Sequence, residues 1–186
     1  MNSFRKLSLW LSVLLGTTSL VGHFIYQQSF IAATLHGNAF IFKSAVLQGM
    51  FIVPLLLSMS LAGFISDKYP KEKVIRVTSL ILALFIGAAA ISILLELPEI
   101  SFYLSLGIGF AYAFQSPAKF GILKEFFGVQ KLSTSNSIIM GISLLSALAA
   151  GVGTSLYLSY CALAGISFVA FLVSLFLPKT RPADAL

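Results

Sequence analysis

The chain has 186 residues and a net charge of +6; 58% of its residues are hydrophobic and only 10% are charged. A soluble domain carries about 25% charged residues, and the mean hydropathy of +0.98 excludes a water-exposed globule in favour of a bilayer-embedded chain. The cations sit at a few junctions instead of along one face, so no nucleic-acid partner is expected.

From the N-terminus, Arg5 and Lys6 precede an apolar run that continues to about residue 35, too long for the apolar region of a cleaved leader. This predicts a first span over 7–35. Further spans are predicted over 41–65, 74–95, 100–126, 134–155 and 157–177, each near the roughly 20 residues a crossing helix needs. His36-Gly37-Asn38, Leu97-Pro98-Glu99 and Gly128 separate them, Ser133 and Thr134 can cap the fifth, and Pro178 follows the sixth. The fold class is therefore an all-α membrane protein, with residues 1–186 forming one six-helix domain.

Sidedness follows from Lys and Arg. Arg5, Lys6, Lys68, Lys71, Lys73, Arg76, Lys124, Lys131, Lys179 and Arg181 fall on one side, Lys43 on the other, and Lys119 inside a span. Both termini are thus expected in the cytoplasm. The segment Gly63-Phe64-Ile65-Ser66-Asp67-Lys68-Tyr69-Pro70-Lys71-Glu72-Lys73 reads as a short basic hairpin at the cytoplasmic end of a helix pair.

Polar residues within spans are expensive and so informative. On the first span, Ser19, His23, Gln27, Phe30 and Thr34 recur at helical spacing. On the fourth, Tyr112, Gln115, Ser116 and Lys119 form a second polar face, with Pro117 just before the lysine. Either face serves as a cavity lining or as interhelical hydrogen bonding; Lys119 can also snorkel toward the interface. Ala147, Gly151 and Ser155, with Ala149 and Gly153, are small residues spaced for close helix packing in the fifth span.

Two histidines and the single Cys161 cannot supply a metal cluster, and no catalytic motif occurs. No enzyme activity, cofactor or metal is expected.

The residues Gly63, Asp67, Lys68, Lys71 and Lys73 resemble the cytoplasmic signature between the second and third helices of the major facilitator superfamily. Ser116-Pro117-Ala118-Lys119-Phe120-Gly121-Ile122-Leu123, with Lys131-Leu132 and Asn136, is similar to the lysophospholipid transporter group, some of whose members are fused to an acyltransferase. That group often has an acid after a glycine in its first helix; here His23 follows Gly22. The resemblance implies an N-terminal six-helix half of a secondary transporter in an inner membrane, partnered by a second six-helix half, either a separate chain or a second copy of this one. It implies a gating role for the Gly63–Lys73 segment. His23, Gln27, Tyr112, Gln115 and Lys119 would then line a substrate cavity. Lys119 would attract a lysophospholipid phosphate while the acyl chain runs by Phe110 and Phe114. The other reading is a fragment, or a non-transporting membrane module associated with a lipid acyltransferase.

Overall fold

The computed structural model describes residues 3–34, 38–128 and 156–180, together with 133–134, 137–138 and 141. Five helices are present among them: α1 (Ser3–Thr34), α2 (Asn38–Lys68), α3 (Lys71–Leu94), α4 (Pro98–Phe127) and α5 (Leu156–Ser174). No strand occurs among the described residues. The helix α5 corresponds to the sixth predicted span. The fifth predicted span and its small residues, and also Lys131, Arg181 and His36-Gly37, lie outside the described residues or almost wholly so.

Three described stretches are long and apolar enough to cross a membrane: Lys6–Ile25 of α1, Ile41–Lys68 of α2 and Lys71–Leu94 of α3. These are the dimensions of a membrane protein. The helix α4 has 30 residues, about 45 Å at 1.5 Å per residue, but does not join them. Its serines, glycines, tyrosines and Gln115 dilute its apolar character. Its position explains why this is tolerated: α4 packs along both α2 and α3, so much of its surface meets protein.

The remaining contacts complete the bundle, with α5 lying along α1 and α3. Close approach is built in where α4 crosses α2. A Cβ added to Gly109 would run into the backbone carbonyl of Phe51, so only glycine fits there. The buried apolar side chains form layers stepping along α3: Val74 and Ile75 with Leu9, Ile122 and Leu123; then Leu82 and Ile86 with Leu20, Ile108 and Leu163; then Ala89, Ala90 and Ile93. In lipid such layers hold by packing instead of by exclusion of water. The outward surface is also apolar, with Leu57 80% and Leu84 64% exposed.

The corner between α2 and α3 is tighter than the expected 66–73 hairpin. Asp67 and Lys68 belong to the last turn of α2 and Lys71 to the first turn of α3. Only Tyr69 and Pro70 lie between. The Tyr69 amide still donates to Ile65 O (3.0 Å), while the Lys73 and Val74 amides already donate to Pro70 O. Pro70, lacking an N–H, can precede the new helix at no hydrogen-bonding cost. The α3–α4 corner is equally short. Leu97 N donates to Ser92 O (2.8 Å) and Glu96 N to Ile93 O (3.1 Å), the paired bonds of a Schellman turn. Its left-handed position, usually glycine, is filled by Glu96 at φ 60°.

Candidate functional site

Antiparallel α1 and α4 share a buried polar seam. On α4 it runs through Ser101, Ser105, Tyr112, Gln115 and Lys119, and on α1 through Gly16, His23 and Gln27. Both sets are spaced by three, four or seven residues and so hold one helix face.

At one end the seam is hydrogen-bonded across the two helices. Gln27 Nε2 donates to Ser101 O (2.8 Å), Ser105 Oγ donates to Gln27 Oε1 (3.1 Å), and His23 Nε2 lies 3.3 Å from Ser105 Oγ. His23 and Gln27 are each 1% exposed. An aromatic layer follows: Phe24 meets Phe51 edge-on at 4.4 Å, and Phe51 lies 6.1 Å from Tyr112.

Beyond it, Gln115 Nε2 donates to Ser79 Oγ of α3 (2.9 Å). Gln115 Oε1 and the Lys119 ammonium are buried with no hydrogen-bond partner among the described residues. The ammonium stands 5.9 Å from the Tyr112 ring centroid. It packs over Gly16, where a Cβ would come within 2.9 Å of Nζ. Chemically, this end holds an unused cation and an unused acceptor side by side. It is equipped for an anion that also carries a donor, such as a phosphate ester with a neighbouring hydroxyl.

The expected cavity residues are thus brought together, but as a closed seam: His23, Gln27, Gln115 and Lys119 are all buried and Tyr112 half-buried. Ser19 turns its hydroxyl back to Gly16 O of its own helix (3.1 Å). The side chains of Phe30 and Thr34 lie outside the described residues. Ser101 and Ser105 were missed, although they continue the Tyr112–Lys119 spacing toward the start of α4.

Phe110 and Phe114 are not beside Lys119. At 100° per residue Phe110 lies about 180° round α4 from it. The two phenylalanines line a groove shared with α2 and α3 instead. One ligand with its phosphate at Lys119 and its chain along these rings does not fit this geometry.

The Gly63–Lys73 residues divide at the corner. Asp67, Lys68 and Lys73 are exposed. Gly63 makes no close packing within the described residues, since a Cβ there would meet nothing within 4 Å. Lys71 is 8% and Glu72 4% exposed, because both turn into the bundle. The Lys71 ammonium pairs with Glu125 of α4. Its stem crosses Gly121, where a Cβ would sit 2.6 Å from Lys71 Cε. Asp67, Lys71, Lys124 and Glu125 border a cleft of about 420 Å³.

The start of α3 is also fastened to the segment after α5. Lys71 N donates to Thr180 Oγ1 (2.8 Å), and Thr180 donates both its amide (2.9 Å) and its hydroxyl to the Glu72 carboxylate. Arg76 donates to Ser174 O (3.1 Å) and Leu177 O (3.3 Å), placing a cation at the carbonyl end of α5. Lys6, Lys68, Lys71, Lys73, Arg76, Lys124 and Lys179 therefore gather at one end of the bundle. The other end carries the loose Lys43–Glu99 pair at 4.0 Å, worth little at such exposure.

Comparison with family models, curated proteins and solved structures found no match.

Proposed function

We propose that this chain is the N-terminal six-helix half of a major facilitator-type secondary transporter, acting with a second six-helix half on an amphipathic substrate of the lysophospholipid class. The observation that carries the reading is the Lys119 ammonium beside the Gln115 carbonyl oxygen, both buried between α1 and α4 with no hydrogen-bond partner among the described residues. A buried cation in an apolar bundle is costly, and binding an anionic head group offsets that cost.

Two further observations support it. The α3–α4 pair and the α5–α1 pair exchange when the first three predicted spans are superposed on the last three. This is the relation expected of two inverted three-helix repeats. Asp67 and Gly63, one turn apart on α2, look outward with open space before Gly63, as a latch facing a second half would.

In the mechanism, the halves rock about the substrate so that the seam opens to one side at a time. Lys119 holds the phosphate, Gln115 accepts a hydrogen bond from the head group, and the bonded Gln27–Ser101–Ser105 layer stays shut. With the basic end facing the cytoplasm of an inner membrane, the sidedness obeys the Lys/Arg bias.

The test is uptake of radiolabelled lysophospholipid into proteoliposomes holding this chain and a complementary six-helix bundle. Lys119→Ala is expected to abolish it, and unchanged uptake overturns the reading. The alternative is a non-transporting module beside a lipid acyltransferase. It is favoured by the closure of the seam, and co-purification with an acyltransferase without uptake would establish it.

A further inference from the structure

The groove that holds Phe110 and Phe114 lies on the outward face of the bundle, between the end of α2 and the start of α3, with α4 as its floor. Its volume is about 350 Å³, at the lower end of the roughly 300–1,000 Å³ usual for ligand sites. Its walls are carbon. Val77 is 58% and Phe110 50% exposed along its mouth. Thr78 adds a methyl only, because its hydroxyl donates back to Val74 O (2.8 Å).

One end is different. Tyr69 and Lys73 border the groove there with the carbon parts of their side chains, so the phenol and ammonium stand outside it. A second cation joins them, with Lys68 Nζ 6.0 Å from the Tyr69 ring centroid. The nearby acid, Asp67, borders the separate Lys71–Glu125 cleft instead.

From Lys73 to Ile81 the groove follows α3 for eight residues, about 12 Å. That is most of one leaflet of a hydrocarbon core about 30 Å thick. A carbon slot one leaflet deep, topped by two lysines and a phenol, complements an acyl chain under an anionic head group.

We infer that this groove is a binding site for an anionic phospholipid of the bilayer leaflet at the basic end of the bundle. One acyl chain lies against Val77, Ile81, Phe110 and Phe114, and the phosphate lies among Lys68, Tyr69 and Lys73. The site is on the opposite side of α4 from Lys119 and is independent of the transport reading, needing only that the chain lies in a membrane.

The test is native mass spectrometry of the detergent-purified chain with phosphatidylglycerol and phosphatidylcholine of identical acyl chains. Phosphatidylglycerol should be retained preferentially. Lys73→Glu is expected to cut its retention at least about fivefold, as for a cation at an anionic surface. Lys73→Gln, which leaves the walls intact, should lower phosphatidylglycerol but not phosphatidylcholine retention. Val77→Trp, filling the slot, should lower both. Lys124→Glu, the same charge change at the neighbouring cleft, should lower neither. Equal losses for Lys73→Glu and Lys124→Glu would mean bulk attraction and overturn the site, as would full retention in Val77→Trp. In a Cys161→Ser background, disulfide-linked dimers through Val77→Cys would show a second copy in the groove and overturn it too.

Discussion

Replacing Lys119 by Met is expected to stabilise this protein while removing its proposed activity. The lysine is 5% exposed and its ammonium has no hydrogen-bond partner among the described residues. A lysine near the centre of a membrane helix costs about 2.5–3.5 kcal/mol. The contact with Tyr112 at 5.9 Å returns about 0.5–1 kcal/mol. Met has a similar length and no charge, so the variant should gain about 2 kcal/mol, roughly a 30-fold shift in the unfolding equilibrium. Reversible SDS unfolding in mixed micelles, followed by the fluorescence of the single Trp10, measures this directly. Gly16→Ala adds a coupling check. Its new methyl would crowd the ammonium in the wild type but should cost much less beside Lys119→Ala. A Lys119→Met protein that is less stable than the parent would refute the reasoning, since the ammonium must then have a favourable partner.

Gly121→Ala should displace the Lys71 stem and loosen the Glu125 pair. A double-mutant cycle with Glu125→Gln is expected to show coupling of about 0.5–1 kcal/mol, and strict additivity would mean that Gly121 does not seat the Lys71–Glu125 pair. Glu96→Gly relieves a left-handed residue and should raise stability by about 1 kcal/mol in the same unfolding assay; a loss would mean the carboxylate contributes more than the strain costs. Gln27→Leu removes three interhelical hydrogen bonds and should destabilise by about 1 kcal/mol. If it also leaves transport untouched when the second half is present, that end of the seam is packing only.

The positions of the described helices were legible because each apolar run outlasts a bilayer crossing and is punctuated by Gly, Pro or charge. His23, Gln27, Gln115 and Lys119 were legible because a polar side chain amid apolar neighbours needs a protein partner. Ser101 and Ser105 were not, because a membrane serine more often bonds its own helix, as Ser19 does here. The charges from Asp67 to Lys73 suggest a loop, yet all five sit in helix. A helix that outreaches the hydrocarbon tolerates charge in its terminal turns, so charge marks the water boundary and not the helix boundary. Phe110 and Phe114 are near Lys119 in sequence but not in space. The angle around α4 sends them to the other side.

The clasp between α3 and the segment after α5 joins residues about a hundred positions apart. Lys71, Glu72 and Arg76 are synthesised long before Thr180, Ser174 and Leu177, so their partners are missing while α3 is already entering the bilayer. This clasp can therefore form only after α5 has been made. Until then the Glu72 carboxylate and the Arg76 guanidinium have to find water or lipid head groups in place of those partners.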